Sequence, residues 1–343
     1  MYNAHKMARP GQIRGMLLEE AILHLLRKGG YRTVQNVASD TTLALSGAGI
    51  CVKGRGGKHQ IDAIADFLIY QPFSNPHRLL AEAKFYNRDV TILEIRNAVG
   101  VLKDVTEYWV PSEDGNLSHR FHYQYVLFSA SPFSADAQRY AFAHDIYLVP
   151  VRESQFFRPI IEAIRQSVRG YYPNQEVSIP DASLSHMRQR VRSNLLDETI
   201  TDEQSQPGNR RRVDLTRFFN ACREVNFALL GVLGGKFPIL LAPAPGMRHR
   251  DIPEYFRVRI SWDDAGWYLR DENDEFLFSF DLPTKLLELY EEEGNLSRER
   301  ALAMKAEFMA FFQAIHTDGN RARVINFELD NDWFQRLQKR GHD

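Results

Sequence analysis

Two short stretches of sequence decide the fold and the chemistry expected of this chain: GKHQIDAIA at residues 57–65 and LLAEAK at residues 79–84. Each reads as a strand. Asp62 opens the first, and Glu82 and Lys84 close the second. Because side chains alternate along a strand, Glu82 and Lys84 point to the same side, about 7 Å apart. A carboxylate and an ammonium at the end of a buried strand are costly unless they serve a function.

Each of these charged residues also has an ordinary explanation. An Asp at a strand start is often a turn or capping residue, and an acidic-x-Lys triplet is common on a solvent-facing strand. The flanks argue against solvent exposure, because apolar residues dominate both faces of residues 61–69 and 79–85. Two carboxylates and a lysine at the shared edge of such strands predict a site for a hard divalent cation and a phosphate.

The overall composition is that of an ordinary globular protein. The length of 343 residues suggests two or three domains, and a formal net charge of −1 means that any basic surface must be local. The two cysteines, Cys51 and Cys222, form neither a disulfide framework nor a zinc pattern and fit a reducing compartment. We find no apolar run long enough to span a bilayer and no signal-peptide pattern, which predicts a cytoplasmic protein without a membrane segment.

The first half of the chain predicts an α/β layer structure, because strands and helices alternate along it. Apolar residues at helical spacing predict a first helix over 13–28, which the pair Gly29-Gly30 ends. Residues 38–58 are small, polar and glycine-rich, and predict a loop with a short strand at 50–53. The other predicted elements are strands at 31–37, 59–70, 78–85, 121–129 and 146–151, and helices at 89–109, 134–144 and 156–169.

A polar segment then separates this half from the rest of the chain. Residues 171–212 read as a linker with a helix at 183–196. The segment contains the basic clusters RQRVR at 188–192 and RRR at 210–212, which form either a phosphate-binding stripe or, as is more common for such runs, a solvated face. Residues 213–343 predict an α+β domain, to which the sequence attaches no chemistry. Its predicted elements are helices at 215–233, 284–293, 298–316 and 331–340, strands at 237–242 and 324–329, and a hairpin over 255–280.

Laid out in this order, roughly residues 10–165 resemble the PD-(D/E)XK nuclease superfamily, and most closely its Mrr-like restriction endonuclease branch. The resemblance rests on an early Glu in the first helix (Glu19), a glycine-rich approach to an Ile-Asp step (GGKHQID, 56–62), and the acidic-x-Lys strand end (Glu82-Ala83-Lys84). Each piece is short, and their order and spacing carry the resemblance. The sequence departs from the pattern at Ile61, where the superfamily name expects proline, and at Glu82, where the branch often has glutamine.

This resemblance implies a restriction-endonuclease-like core over residues 10–170, with a mixed sheet flanked by helices. It also implies that Asp62, Glu82 and the backbone carbonyl of Ala83 hold Mg²⁺ or Mn²⁺ through oxygen ligands. Lys84 is then expected to orient the attacking water or to stabilise charge on the phosphate. Glu19 is expected to bind a second metal ion or its waters, with Glu20 as the fallback.

Four further residues near this motif are weaker candidates for contacts to nucleic acid. His59 and Gln60 directly precede the metal-binding Asp and are placed to touch phosphate or water, although a structural role is the stronger interpretation for His59. Tyr86 and Arg88 follow the lysine and are equally well explained as backbone-contacting groups or as part of a solvated loop.

The sequence therefore predicts a Mg²⁺-dependent endonuclease that hydrolyses DNA, and the resemblance implies a role in restriction or anti-phage defence. DNA is the expected partner. Because cutting two strands with one site per chain favours a dimer, a homodimer is a further expectation, and an accessory defence protein is another. Three alternatives stay open at this point: an RNA nuclease, a catalytically inert nucleic-acid-binding protein that keeps the fold, and a function carried by the C-terminal domain. That domain is expected to serve in recognition, sensing or partner binding.

Overall fold

The computed structural model describes residues 7–34, 37, 40–46, 49–69, 72–108, 120–152, 154, 156–171, 179–195, 213–224, 229–248, 252–263, 266–290, 296–318 and 321–339. The helices are α1 (Pro10–Lys28), α2 (Ile92–Thr106), α3 (Ala135–Ala143), α4 (Phe157–Tyr171), α5 (Asp181–Leu195), α6 (Thr216–Glu224), α7 (Thr284–Tyr290), α8 (Arg298–Phe308) and α9 (Asn331–Lys339). The strands of the first half are β1 (Met7–Ala8), β2 (Tyr31–Thr33), β3 (Leu43–Ser46), β4 (Gly49–Lys53), β5 (Lys58–Gln60), β6 (Ala63–Phe67), β7 (His77–Lys84), β8 (His122–Ser129) and β9 (Ile146–Pro150). The later strands are β10 (Ile179–Pro180), β11 (Leu229–Leu233), β12 (Phe237–Pro243), β13 (Tyr255–Asp263), β14 (Gly266–Arg270), β15 (Phe276–Phe280), β16 (Phe311–Asp318) and β17 (Arg321–Leu329).

A mixed five-stranded sheet with the order β2-β6-β7-β8-β9 forms the centre of the first half. Strand β6 runs antiparallel to β2 and β7, whereas β7, β8 and β9 run parallel to one another. The alternation of β7 explains how both faces are covered: Leu79 and Ala81 pack into the core under α1 and α4, while Leu80 packs into the core under α2 and α3. A strand buried on both faces is the environment expected for the sequence LLAEAK.

The first helix is confirmed and begins slightly earlier than predicted, at Pro10, a residue suited to the first turn of a helix. Its buried face includes Ile13 and Leu17, which pack against the sheet. The helix ends at the glycine pair, and Gly30 has a φ of 85°. A Cβ on Gly30 would lie 2.2 Å from Cγ2 of Ile315 in β16, so glycine is needed both for the backbone conformation and for close packing of the two halves of the chain.

Residues 38–58 do not form the predicted loop. Strands β3, β4 and β5 form an antiparallel three-stranded sheet, and only the short strand expected at 50–53 is confirmed. Three of the glycines that suggested a loop lie in the turn at 54–57, where Gly54 N donates to the carbonyl of Gly57. Because the three strands are short, turn residues dominate the local composition and hide the strand pattern in the sequence.

The C-terminal part contains a closed barrel with the strand order β11-β12-β15-β14-β13-β17-β16.

Two helices of this part were predicted too long. The first ends at Glu224, and residues 229–233 form β11, while the second ends at Phe308, and residues 311–318 form β16. Short apolar runs have no period that separates helix from strand, and barrel closure decides between them. The hairpin predicted over 255–280 is a meander of three strands, β13, β14 and β15.

Helices α5 and α6 pack into the core of the first half, although they follow residue 170. Val191 and Leu195 of α5, with Phe218 and Cys222 of α6, are buried in the same cluster as α1 and α4. The basic cluster at 210–212 lies outside the described residues. Among the helices that the structure describes, we find none that is long and apolar enough to cross a membrane.

Candidate active site

Asp62 lies at the point where β6 and β7 separate. The two strands pair from Asp66 opposite Arg78 to Ala63 opposite Ala81, and the backbone pairing stops there. Beyond this pair, the Asp62 side chain replaces the backbone as acceptor: its Oδ2 accepts a hydrogen bond of 2.8 Å from the backbone N–H of Ala83. The carboxylate is thus fixed at the open end of two diverging strands.

The backbone carbonyl of Ala83 faces the same opening. In β7 the carbonyl of Lys84 accepts from the N–H of Ala130, so Lys84 directs its backbone groups toward the β8 side. Backbone groups of successive strand residues point to opposite sides, which directs the N–H and the C=O of Ala83 toward β6 and Asp62. Beyond Ala63, β6 offers no ladder partner to this carbonyl, and its oxygen is therefore placed to serve as a ligand.

Glu82 and Lys84 form an ion pair on the side of the sheet that α2 and α3 cover. Their side chains are only 18% and 16% exposed. The second oxygen of Glu82, Oε2, accepts a hydrogen bond of 2.6 Å from the hydroxyl of Tyr125, a fully buried residue of β8. Burial by itself would lower the pKa of Lys84, but the charge of Glu82 and its hydrogen bond outweigh burial and raise it, so the ammonium stays charged.

The same neighbouring charges affect the pKa of Asp62. Burial raises its pKa, and the neighbouring Glu82 carboxylate raises it further. The N–H of Ala83 and the cations Lys84 and Arg188 act in the opposite direction without cancelling the effect. Two carboxylates held this close in a partly buried site repel each other, and a bound cation would relieve that repulsion.

Glu19 of α1 also belongs to this group. Burial raises its pKa from 4.5 to about 7, and the charge of Asp62 is the next largest cause. Its carboxylate pairs with the guanidinium of Arg188 in α5. Glu20, the alternative, is buried and held by Arg192 at 2.9 and 3.0 Å. Of the two, the structure directs Glu19 toward the candidate site.

The donor set fits a hard divalent cation. Two carboxylates and a backbone carbonyl at one opening supply the oxygen ligands that Mg²⁺ and Mn²⁺ prefer. A bound cation would offset the burial and the carboxylate repulsion that raise the pKa values of Glu19 and Asp62. Within the described ranges, however, no three His, Cys, Asp or Glu side chains come together as a ready metal cluster. Lys84 neutralises Glu82 in this structure, so a cation would have to compete with that ion pair.

His59 and Gln60 take part in the small sheet rather than in this opening. His59 Nε2 lies 2.6 Å from Oδ2 of Asp104 on α2, and the other oxygen of Asp104 accepts from Gly56 N at 2.7 Å. This pair anchors the turn at 54–57 to α2. Gln60 pairs with Cys51 in the small sheet.

Tyr86 and Arg88 continue the row begun by Lys84. The Nζ of Lys84 lies 5.9 Å from the centre of the Tyr86 ring, and the guanidinium carbon of Arg88 lies 4.8 Å from it. Arg88 is mostly exposed and pairs with Glu94 at the start of α2 at 2.6 Å. The two residues form a surface strip that leads away from Lys84.

Sequence reasoning missed two residues that contact the candidate ligands. Tyr125 was expected only as part of the strand at 121–129, and Arg188 only as part of the basic cluster at 188–192. Strand alternation was a usable signal for Tyr125, since it lies on the same face of β8 as Leu127, which is opposite Glu82. No signal in the sequence pairs Arg188 with Glu19, because 169 residues separate them.

Comparison with known proteins assigns no family. No family model matches the chain, and no curated protein matches it. The chain is similar to a solved crystal structure of a protein of unknown function, with 15% identity and a TM-score of 0.27. That similarity covers 53% of this chain and 99% of the other. At this TM-score the similarity carries no argument about fold or function.

Proposed function

We propose that this chain is a Mg²⁺-dependent endonuclease that hydrolyses phosphodiester bonds of DNA, in restriction or anti-phage defence. One observation carries the proposal: Asp62, Glu82 and Lys84 meet where β6 and β7 diverge, with the carbonyl of Ala83 turned to the same opening. The match of the five-stranded sheet to a restriction-endonuclease-like core is part of the same proposal.

Each residue of the site has a distinct role in this proposal. Asp62, Glu82 and the Ala83 carbonyl hold the cation through oxygen, and Glu19 binds a second cation or its waters. Mg²⁺ or Mn²⁺, when bound, polarises the scissile phosphate and lowers the pKa of a water molecule. Lys84 donates hydrogen bonds that orient the attacking water or balance negative charge on the phosphate. The Tyr125 hydroxyl fixes the Glu82 carboxylate, as a hydrogen-bond donor behind a metal ligand does.

The protonation of Glu19 couples cation binding to pH. With a pKa of about 7, Glu19 is half protonated at neutral pH and must release this proton before its carboxylate binds a cation. Arg188 holds the same carboxylate and has to move aside or share it. Cation affinity is therefore expected to rise steeply between pH 6 and pH 8, a range set by that pKa.

The test is a cleavage assay with three polymers. Wild type, Lys84→Ala and Lys103→Ala are incubated with plasmid DNA, single-stranded DNA and RNA, in Mg²⁺ and in EDTA. Lys103 is an exposed lysine of α2 and serves as a charge-matched control. Metal-dependent cleavage of DNA that Lys84→Ala loses and Lys103→Ala keeps supports the proposal.

The other outcomes decide between the alternatives. Cleavage of RNA alone would replace DNA with RNA as the substrate, since the metal chemistry is the same for both polymers. If wild type leaves all three polymers intact in Mg²⁺ and Mn²⁺, the catalytic proposal is wrong. Retained binding of nucleic acid in that case would favour an inert binding protein, and the barrel would become the place to look for function.

A further inference from the structure

A second group of charged side chains surrounds Phe85, the residue directly after Lys84. Strand alternation directs Phe85 to the opposite face of the sheet from Lys84, where it is buried beside α1 and α4. The guanidinium carbon of Arg14 in α1 lies 5.6 Å from the centre of the Phe85 ring. That of Arg165 in α4 lies 5.8 Å from the same point. Two guanidinium groups, from two different helices, therefore approach the same ring.

A third arginine adds to this positive charge. Arg152 follows β9 and influences Arg165 electrostatically: partial burial, then the charge of Arg152 and that of Arg14, lower the pKa of Arg165. The charge of Glu162 acts in the opposite direction without cancelling this effect. We name the group of Arg14, Arg152 and Arg165 the arginine cluster.

The arginine cluster lacks counterions in the part of the chain that the structure describes. None of its three members has a described carboxylate within ion-pair distance. The Nε of Arg14 is buried and has no hydrogen-bond partner among the described residues. A buried, charged donor without a partner is rare and costs free energy, so it calls for an acceptor supplied from outside the chain. Like charges held together call for an anion.

The arginine cluster lies at the same edge of the sheet as the candidate active site. Phe85 and Lys84 are adjacent, and Arg152 follows the end of the parallel strand β9 by two residues. Arg14 precedes Glu19 by five residues on α1, which is about 7.5 Å along the helix. An anion bound by the arginine cluster would thus lie close to the carboxylates without lying among them.

The geometry points to the arginine cluster as a phosphodiester-binding subsite, which holds a backbone phosphate next to the one that is cut. This inference rests on the proposed function. Guanidinium groups suit the task because their planar N–H forks match phosphate oxygens in two-point contacts. Contacts of this kind fix the register of a nucleic acid without reading its sequence. They would hold the scissile bond in place while the carboxylates bind the cation.

The experiment measures binding without cleavage. Fluorescence anisotropy with a labelled DNA duplex and a labelled single strand is recorded in EDTA, over a range of salt concentrations. The cluster variant is Arg14→Gln with Arg165→Gln. The matched control is Arg158→Gln with Arg169→Gln, which removes two exposed arginines of α4. Arg152→Gln, an exposed position away from the Phe85 ring, is a second cluster variant that leaves the packing of Phe85 intact.

The expected result is specific to the arginine cluster. Both cluster variants should bind DNA about tenfold or more weakly, and the slope of log affinity against log salt should fall by about 0.9 for each phosphate lost. The control should keep the wild-type slope. Equal losses in the control and the cluster variants, or unchanged slopes in all of them, would overturn the inference. A cluster that only clamps the Phe85 ring would lower the melting temperature of the Arg14 and Arg165 variant and leave DNA binding of Arg152→Gln unchanged.

Two further arms separate the possible sources of the anion and the two proposals. If inorganic phosphate raises the melting temperature of wild type but not of the cluster variants, and neither DNA is bound, the cluster takes free anions and the subsite inference is wrong. If DNA binding depends on the cluster while wild type cuts no polymer in Mg²⁺, the subsite stands and the nuclease proposal falls. If cleavage requires Lys84, but its salt dependence is the same in wild type and in the cluster variants, the nuclease proposal stands and the subsite inference falls.

Discussion

The raised pKa of Glu19 makes the stability of this protein depend on pH in a way that one substitution should remove. In the unfolded chain the carboxyl has its ordinary pKa of 4.5, and in the folded protein burial and the charge of Asp62 raise it to about 7. Between these values the folded state binds more protons than the unfolded state, so stability falls as pH rises from 4.5 through 7. The loss is complete above pH 7 and absent below pH 4.5.

The size of this change in the free energy of unfolding follows from the difference between the two pKa values. At about 1.36 kcal/mol per pH unit, their separation corresponds to about 3 kcal/mol. The side chain is 21% exposed, so little of this is lost to solvent screening. Arg188 and Arg192 lower the pKa of Glu19 and the charge of Glu20 raises it, but burial and Asp62 have the larger effects. Glu19→Gln has no proton to release and should lack this pH dependence.

The assay is urea unfolding followed by circular dichroism at several pH values between 4.5 and 8, for wild type, Glu19→Gln and Glu299→Gln. The control removes an exposed carboxylate of α8. The free energy of unfolding of Glu19→Gln, relative to wild type, should rise by about 3 kcal/mol from pH 4.5 to pH 8. The control should show no such trend. A difference that stays constant with pH would refute the reasoning, and a difference of opposite sign would mean that the Arg188 ion pair dominates the site.

Two other substitutions test the barrel and the support of Glu82. Lys305 of α8 is buried beside three tryptophan rings and donates a hydrogen bond of 2.6 Å to the carbonyl of Ile260. Burial lowers the pKa of Lys305 to about 8. Above pH 8 the unfolded state therefore binds more protons than the folded state. The free energy of unfolding of wild type should therefore rise by about 1.4 kcal/mol per pH unit from pH 8 to pH 10, and Lys305→Met should lack this rise in the same denaturation assay. Tyr125→Phe removes the donor to Glu82, and Mg²⁺ affinity measured by titration calorimetry should fall about tenfold; unchanged affinity would exclude a positioning role for Tyr125.

The strand edge with its charged residues was predictable from the sequence, because all the information is local. Apolar residues on both faces of 79–85 indicate a strand covered on both sides, and the alternation that places Glu82 beside Lys84 is a property of any strand. The first helix was predictable for a similar reason, since its buried residues recur at helical spacing and a glycine pair ends it.

The barrel was not predictable at the same level, because its closure depends on pairs far apart in sequence. Strand β11 pairs with β16, and β13 pairs in parallel with β17. The apolar residues at 229–233 and 311–318 satisfy a helical pattern as well as a strand pattern, and only these partners decide between them. Two predicted helices were too long for this reason. The contacts of Glu19 with Arg188 and of Glu82 with Tyr125 are equally non-local, since 169 and 43 residues separate the members of each pair.

The balance of charge in the candidate site explains why its internal contacts and its proposed ligands compete. Asp62 lies within electrostatic reach of both Glu82 and Glu19, and the chain supplies Lys84 and Arg188 as its own cations. Burial first, and repulsion between neighbouring carboxylates second, keep the pKa values of Glu19 and Asp62 raised despite these two cations, so further positive charge would stabilise the ionised carboxylates. A divalent cation would supply that charge and free Lys84 from Glu82 to face a phosphate. The ion pairs of the free protein therefore stabilise the site in the absence of its ligand, and the residue that neutralises Glu82 is the same one that the proposed reaction needs.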